Sequence, residues 1–322
     1  MSGLRSSGDL AADRRYLWAE ASAAEGDHAG AADLLRQALD LAPGWAAGWF
    51  ALGQALAALG QAQPAMEAFA TCLALAPEDT FGAGLRQAQL AGGPAPSGMP
   101  PRYVAQLFDD YAARFDDHLT RALNYRGPEI VLAALDAAGQ ILPRPQAFPQ
   151  EFSQEFPQVL DLGCGTGLMA VALGTRAGRV DGVDLSRAML AQAQATGRYR
   201  SLAEADVVAF LEAARVNARP DLPAYDLIVA ADVFVYLGDL APVLALAAQC
   251  LAAEGRMAFT VQHHQGSGFV LGADLRFAHA PAYLADVAAA AGLAVLIDQP
   301  VVTRQDAGRD VPGRVMVLAR KG

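Results

Sequence analysis

Residues 158–168 read Q-V-L-D-L-G-C-G-T-G-L, an apolar run (Val159, Leu160, Leu162) that stops at three glycines, Gly163, Gly165 and Gly167. A short apolar run ending at glycine predicts a buried parallel strand, a tight turn and then a helix. Glycine removes the Cβ atoms that would hold a ligand off the backbone, and it allows positive φ. A ligand can then lie against main-chain N–H groups where the next helix opens.

The spacing narrows the ligand. A dinucleotide turn is G-x-G-x-x-G with an acid about twenty residues on. Here the glycines are spaced G-x-G-x-G, and Asp161 stands two residues before the first. This D-x-G-x-G-x-G arrangement resembles motif I of the class I S-adenosylmethionine (SAM) methyltransferases. The next apolar run, Val180–Val183, ends in Asp184 (184 − 163 = 21 residues beyond the first glycine). A carboxylate at the tip of a second strand can accept both ribose hydroxyls; it can also cap a helix beginning near Ser186.

Composition bounds the rest. A chain of 322 residues exceeds one typical domain, so two are expected. Hydrophobic residues at 53 % with 18 % charged support a sizeable core. A net charge of −10 disfavours nucleic acid and anionic lipid as partners. Cys72, Cys164 and Cys250 stand far apart without a C-x-x-C pair, which fits neither a zinc site nor a disulfide framework. The first residues lack the apolar core of a signal peptide, and no run suggests a membrane span, so a soluble, cytoplasmic protein is expected.

The N-terminal third repeats itself. Pro43 recurs as Pro77, Gly26 as Gly60, Ala31 as Ala65 and Ala38 as Cys72, each pair 34 residues apart. That period belongs to tetratricopeptide (TPR) repeats, paired antiparallel helices closed by a proline. Trp49, Leu52, Gly53 and Leu56 belong to the first helix of the better copy, Ala65 and Phe69 to its second; Trp18 and Ala19 take the places of Leu52 and Gly53 in the other. Residues 80–90 resemble the opening of another, unfinished repeat. So few repeats lean on a second domain or another subunit. They serve either to dock a peptide or protein, or to stabilise or dimerise the chain.

Ala91–Pro101 is dense in Gly and Pro and marks the boundary, giving a TPR-like domain over 1–92, a linker over 93–101 and a second domain over 102–322. Val104, Leu107, Phe108, Tyr111, Phe115 and Leu119 then recur at helical spacing, with Asp109, Asp110, Asp116 and Asp117 between them. Many class I methyltransferases carry a similar F-D-x-Y-A-x-x-F-D helix that covers the cofactor. By that resemblance Tyr111 and Phe115 approach the sulfonium through their ring faces; the alternative is that these aromatics are core. Phe148–Pro157 repeats loosely and is expected to be a surface loop.

Beyond motif I, apolar runs alternate with Ala- and Leu-rich stretches, which implies a doubly wound parallel sheet. Strands are expected at 159–162, 180–184, 201–205, 225–231, 256–261, 294–297 and 311–319, the last inserted antiparallel between the fifth and sixth. Helices are expected at 166–176, 186–196, 207–215, 244–252 and 282–291. Asp206 follows the third strand, where the resemblance implies an acid accepting from the adenine amino group with Val207 against the ring; capping the next helix is the compatible alternative. Asp232 and Tyr236 follow the fourth strand, beside the point where the winding reverses. Three of the five histidines fall in Gln262–His279. Neighbours such as His263 and His264 diverge on regular backbone, so a metal is disfavoured. A substrate loop with a histidine base and an anion grip at Arg276, or an ordinary polar connection, remain.

Two TPR units, the aromatic helix, Tyr125-Arg126 and D-L-G-C-G-T-G, in this order, resemble the bacterial family described as predicted methyltransferases containing TPR repeats. The fold implied is α/β: TPR-like helices followed by a Rossmann-like, seven-stranded class I domain. The resemblance implies SAM as cofactor, with contacts from Tyr111, Asp161, Gly163, Cys164, Gly165, Gly167, Asp184, Leu185, Asp206, Val207 and Ala231. The methyl acceptor is unidentified, a small molecule or a protein. Asp232, Tyr236, His263 and His264 are the candidate bases, and Arg276 and Arg126 the candidate grips on a carboxylate acceptor. The rival reading is a TPR scaffold whose second domain is catalytically silent.

Overall fold

Ala31 and Ala65 are buried, and so are Ala38 and Cys72, at the same points of two successive helix pairs. This is the 34-residue period in three dimensions, in a computed structural model that describes residues 6–112, 115, 125–141, 154–216, 224–306 and 308–320. The described chain divides between Tyr103 and Val104 into two units.

In the first unit, α1 (Leu10–Ala24) and α2 (His28–Leu41) form one pair and α3 (Ala46–Ala58) and α4 (Ala62–Leu75) the next; α5 (Ala83–Ala91) follows. Gly26 and Gly60 reverse the chain between the helices of each pair at φ of +86° and +73°. Gly53 on α3 allows a close approach between the helices of its pair, since a Cβ there would sit 2.5 Å from the Phe69 ring. Phe69 is fully buried, and filling such a site contributes about 1.5–3 kcal/mol.

α6 (Pro101–Tyr111) spans the division, and α7 (Gly127–Ile141) precedes the sheet. Asp116, Asp117 and Leu119, expected to continue the helix of α6, lie outside the described residues, as does the 148–153 part of the repetitive stretch. The remainder of that stretch is not all loop: Phe156, fully buried, begins β1 (Phe156–Leu162).

From there the sheet alternates with α8 (Leu168–Leu173), β2 (Ala177–Asp184), α9 (Arg187–Ala195), β3 (Tyr199–Glu204), α10 (Val207–Val216), β4 (Tyr225–Ala230), α11 (Ala241–Cys250) and β5 (Leu251–His263). The order β3-β2-β1-β4-β5 is parallel throughout. After α12 (Pro281–Ala290), β8 (Leu293–Asp306) and β9 (Arg309–Arg320) form a long antiparallel hairpin, with β9 between β5 and β8. That is the seven-stranded arrangement expected. Two further short strands, β6 (Phe269–Leu271) and β7 (Phe277–His279), form a hairpin where only a connection was expected. β7 pairs with β5 at Gln262 and His263, beyond the last β4 partner at Phe259, so the hairpin stands over the exit of β4.

Alternate residues of each central strand enter separate cores. Leu160, Leu162, Ile228 and Ala230 pack with α10, α11 and α12. Val159, Leu227 and Val229 pack with α7, α8 and α9. Both faces are therefore covered, and every parallel strand delivers its carboxyl end to one edge.

Candidate active site

The turn after β1 carries Gly163, Gly165 and Gly167 at φ of +63°, +54° and +94°. They serve different needs. A Cβ on Gly163 would meet Val233 at 2.5 Å, and one on Gly167 would meet Tyr199 at 3.1 Å, whereas at Gly165 nothing lies within 4 Å. Gly165 alone of the three faces open space, and its N–H donates to Asp184 Oδ2 at 2.9 Å. The second Asp184 oxygen accepts from Ser186 N–H at 2.8 Å. Burial raises the Asp184 carboxyl above its ordinary range, opposed by those backbone donors, and Asp109 nearby adds to the rise. Asp184 does not cap α9 itself; Ser186 does, through Met189 N–H.

α6 is fastened beside this turn. Asp109 Oδ1 accepts from Ser186 Oγ at 2.6 Å and from Ala188 N–H at 3.2 Å, and Gln192 donates to Ala112 O at 2.6 Å. Tyr111 packs edge-on against Phe115, Phe115 against Phe108, and Phe108 against Tyr236. Asp206, after β3, uses Oδ1 to cap α10 through Val208 and Ala209 N–H, with buried Val207 beside it. Asp161 and Cys164 are buried under the turn. Tyr199 donates to Asp161 at 2.7 Å. Burial pushes the Asp161 carboxyl up to about 7, the Tyr199 bond opposing and Asp184 adding to the shift.

At the exit of β4, Ala231 leads into Asp232, which takes φ +59° and donates its N–H to Thr260 Oγ1 at 2.8 Å. Arg304 Nη1 lies 3.1 Å from Asp232 Oδ1 and 3.5 Å from Oδ2. Arg276 Nη1 is 3.6 Å from Asp232 Oδ2, and its guanidinium lies over the Tyr236 ring, 5.8 Å from the centroid. Burial and the neighbouring carboxylates of Asp232 and Asp161 push the Tyr125 phenol well up. His263 stands opposite His279 in the pairing of β5 with β7, but the ring nitrogens of the three histidines are used separately. His264 accepts from Gly266 N–H at Nδ1 and reaches Gly268 O at 3.3 Å through Nε2, so both its ring nitrogens serve its own turn. His279 is fully buried with Nε2 3.0 Å from both Leu237 O and Gly238 O, and burial lowers its pKa to about 4. His263, at the end of β5, keeps a buried Nδ1 with no hydrogen-bond partner.

Residues 160–257 match the family profile described as a methyltransferase domain, and residues 22–88 one described as a tetratricopeptide repeat. This chain carries a class I methyltransferase domain behind a TPR region. SAM is the cofactor of that class, and an open glycine turn beside a buried carboxylate is a fit for its nucleoside. No curated protein matches the chain. Among solved structures, the NodS N-methyltransferase of Bradyrhizobium japonicum WM9 with S-adenosylhomocysteine is 18 % identical over 68 % of this chain and 99 % of its own, at a TM-score of 0.46. A Burkholderia thailandensis 1,6-didemethyltoxoflavin N1-methyltransferase is 20 % identical over 71 % and 94 %, at 0.44. The magnesium protoporphyrin IX methyltransferase of Synechocystis PCC 6803 with bound SAM is 14 % identical over 67 % and 97 %, also at 0.44. Likeness at these scores carries no statement about function.

The methyltransferase domain holds site residues that sequence reading missed. Arg304 and Thr260 fix Asp232 from 72 and 28 residues away. Tyr199 and Asp109 support the turn across separations of 38 and 77 residues. None of these pairings leaves a local pattern. Among the described residues, no helix is long and apolar enough to cross a membrane.

Proposed function

We propose that the chain transfers a methyl group from SAM to an acceptor seated where β1 and β4 part. The supporting observation is the pairing of Gly165, beside open space, with the buried Asp184 at the tip of β2. In this reading the backbone of Gly163, Cys164, Gly165 and Gly167 lies along the cofactor, above Asp161, while Asp184 and Leu185 meet the ribose. Asp206 and Val207 border the adenine, and Ala231 and Tyr111 flank the sulfonium end. Bound there, SAM supplies an electrophilic methyl group, and the protein's task is to orient the acceptor and exclude water.

A protonated acceptor needs a group to take its proton. Tyr236, His263 and Asp232 are the candidates, while His264 is committed to its own turn. Asp232 is held on both oxygens by arginine, which suits it to fixing the wall of the site. The TPR region we assign to docking a protein partner or acceptor or to dimerisation, and the location to the cytoplasm.

Calorimetry with SAM, S-adenosylhomocysteine and NAD tests the reading. SAM and its product should bind and NAD should not. Asp184→Ala should weaken SAM binding by about 1.5–3 kcal/mol if the carboxylate holds the ribose. A chain that binds neither nucleoside would be a scaffold.

A further inference from the structure

Arg276 is a cation in this crevice that is paired only at a distance: Asp232, Asp274 and Asp306 act on its charge, yet none hydrogen-bonds to its Nη1. Its Nη1 is buried and has no hydrogen-bond partner. The closest carboxylate oxygen in an ion pair with it, Asp232 Oδ2, is 3.6 Å away, beyond hydrogen-bonding reach. Asp232 belongs to Arg304, which lies within 3.5 Å of both its oxygens. Asp274, on the same hairpin, is also engaged: Oδ1 accepts from Arg276 N–H at 3.1 Å, and Oδ2 accepts from Gln262 at 3.2 Å and lies 3.9 Å from Arg304.

The guanidinium is nonetheless held in place. Tyr236 lies under it, and the turn that carries it is closed by Gly272 N–H to Arg276 O at 2.8 Å and Leu275 N–H to Gly272 O at 3.0 Å. Backbone strain concentrates here. Among the described residues three non-glycine positions have positive φ, Asp79, Asp232 and Leu275. The last two flank this one contact, Leu275 preceding Arg276 and Asp232 facing it. Strained backbone persists where surrounding structure imposes it, and it gathers at ligand clamps. A charged group short of hydrogen-bond acceptors is costly, so a carboxylate brought against the exposed part of this guanidinium is favoured.

We propose that Arg276 is the anchor for an acidic methyl acceptor, whose carboxylate pairs with the exposed part of this side chain, 26 % of it. The inference rests on the methyl-transfer reading of the same crevice and names the class of its substrate. In this proposal the anchored carboxylate serves as a handle, and the methyl group goes to another atom of the molecule. Tyr236 and the Phe108 ring 5.4 Å from it offer an apolar wall to the rest of the molecule.

Benzoate and benzamide, titrated by ligand-observed NMR into the full chain loaded with S-adenosylhomocysteine, test the proposal. They share a ring and differ in charge. Benzoate should bind saturably and benzamide at least about tenfold more weakly. Arg276→Gln should lose benzoate binding by about tenfold or more, Arg276→Lys should recover part of it, and both should keep S-adenosylhomocysteine affinity within about threefold of wild type. Equal binding of the two probes, no saturable benzoate binding, or benzoate binding that survives Arg276→Gln overturns the proposal. So does loss of S-adenosylhomocysteine by both variants, which would make Arg276 structural. A wild-type chain that takes up no S-adenosylhomocysteine would defeat the methyl-transfer reading itself, and the anchor with it.

Discussion

Gly163→Ala and Gly165→Ala make the same chemical change two residues apart and should fail in different ways. Each puts a Cβ on a left-handed backbone, at φ +63° and +54°, which costs about 1–2 kcal/mol. At Gly163 the new methyl also lands 2.5 Å from Val233 Cγ2, 2.9 Å from Cγ1 and 3.3 Å from Cβ. Val233 is β-branched and stiff at χ1, so the clash adds an overpacking term of about 1–3 kcal/mol. Gly163→Ala should therefore lose roughly 2–5 kcal/mol of stability in urea denaturation, the sum of the two terms. Gly165→Ala has no neighbour within 4 Å and should lose only the backbone term, about 1–2 kcal/mol. Its larger effect should fall on ligand: the methyl fills the space assigned to SAM, and S-adenosylhomocysteine affinity in calorimetry should drop at least about tenfold, or 1.4 kcal/mol. Equal stability losses in the two variants would refute the packing argument. Unimpaired binding by Gly165→Ala would refute the placement of the ligand.

Asp161, pushed up to about 7 by burial, has an unfolded value of about 3.9. Between the two the native state holds a proton the unfolded chain has released, so this group lowers stability as pH rises from about 4 to about 7. Asp161→Asn should flatten the denaturation midpoint across that window; an unchanged profile would remove Asp161 as its source. In the TPR unit, Gly53→Ala places a methyl 2.5 Å from the Phe69 ring. Its overpacking cost of about 1–3 kcal/mol should exceed the gain in helix propensity of about 1 kcal/mol, and a stabilised variant in thermal melts would refute that.

Most of the parallel sheet was legible because its signals are local. Leu162 into Gly163 and Val183 into Asp184 mark strand ends by residue type alone, and the structure ends β1 and β2 there. The strand expected at 294–297 was under-read for a physical reason: Pro300 looks like a breaker, yet β8 is an edge strand, so this proline lies where one side of the strand has no ladder partner to lose. The strand expected at 311–319 was read through Pro312, which stands just before β9 begins to pair with β5 at Gly313. α11 starts earlier and ends earlier than expected because Pro242 suits a first helical turn and Leu251 opens β5. β6 and β7, at three residues each, are too short for alternation to register. Arg304 sits in V-V-T-R-Q-D, a polar strand end that reads as solvent-facing, yet it is buried, with Asp232 and Asp274 as its partners. The histidines had the reverse difficulty: residue type drew attention to His264 and His279, whereas folding commits both to backbone carbonyls.

The hairpin over the exit of β4 divides the work of the site along the chain. The part that matches the methyltransferase profile stops at residue 257, ahead of β6, β7 and Arg304. Under the proposed reading the nucleoside is handled within that part, whereas the acceptor is met from both sides of the limit, by Asp232 and Tyr236 before it and by Arg276 after it. A domain cut at residue 257 would keep the donor's cradle and lose the acceptor's charged anchor.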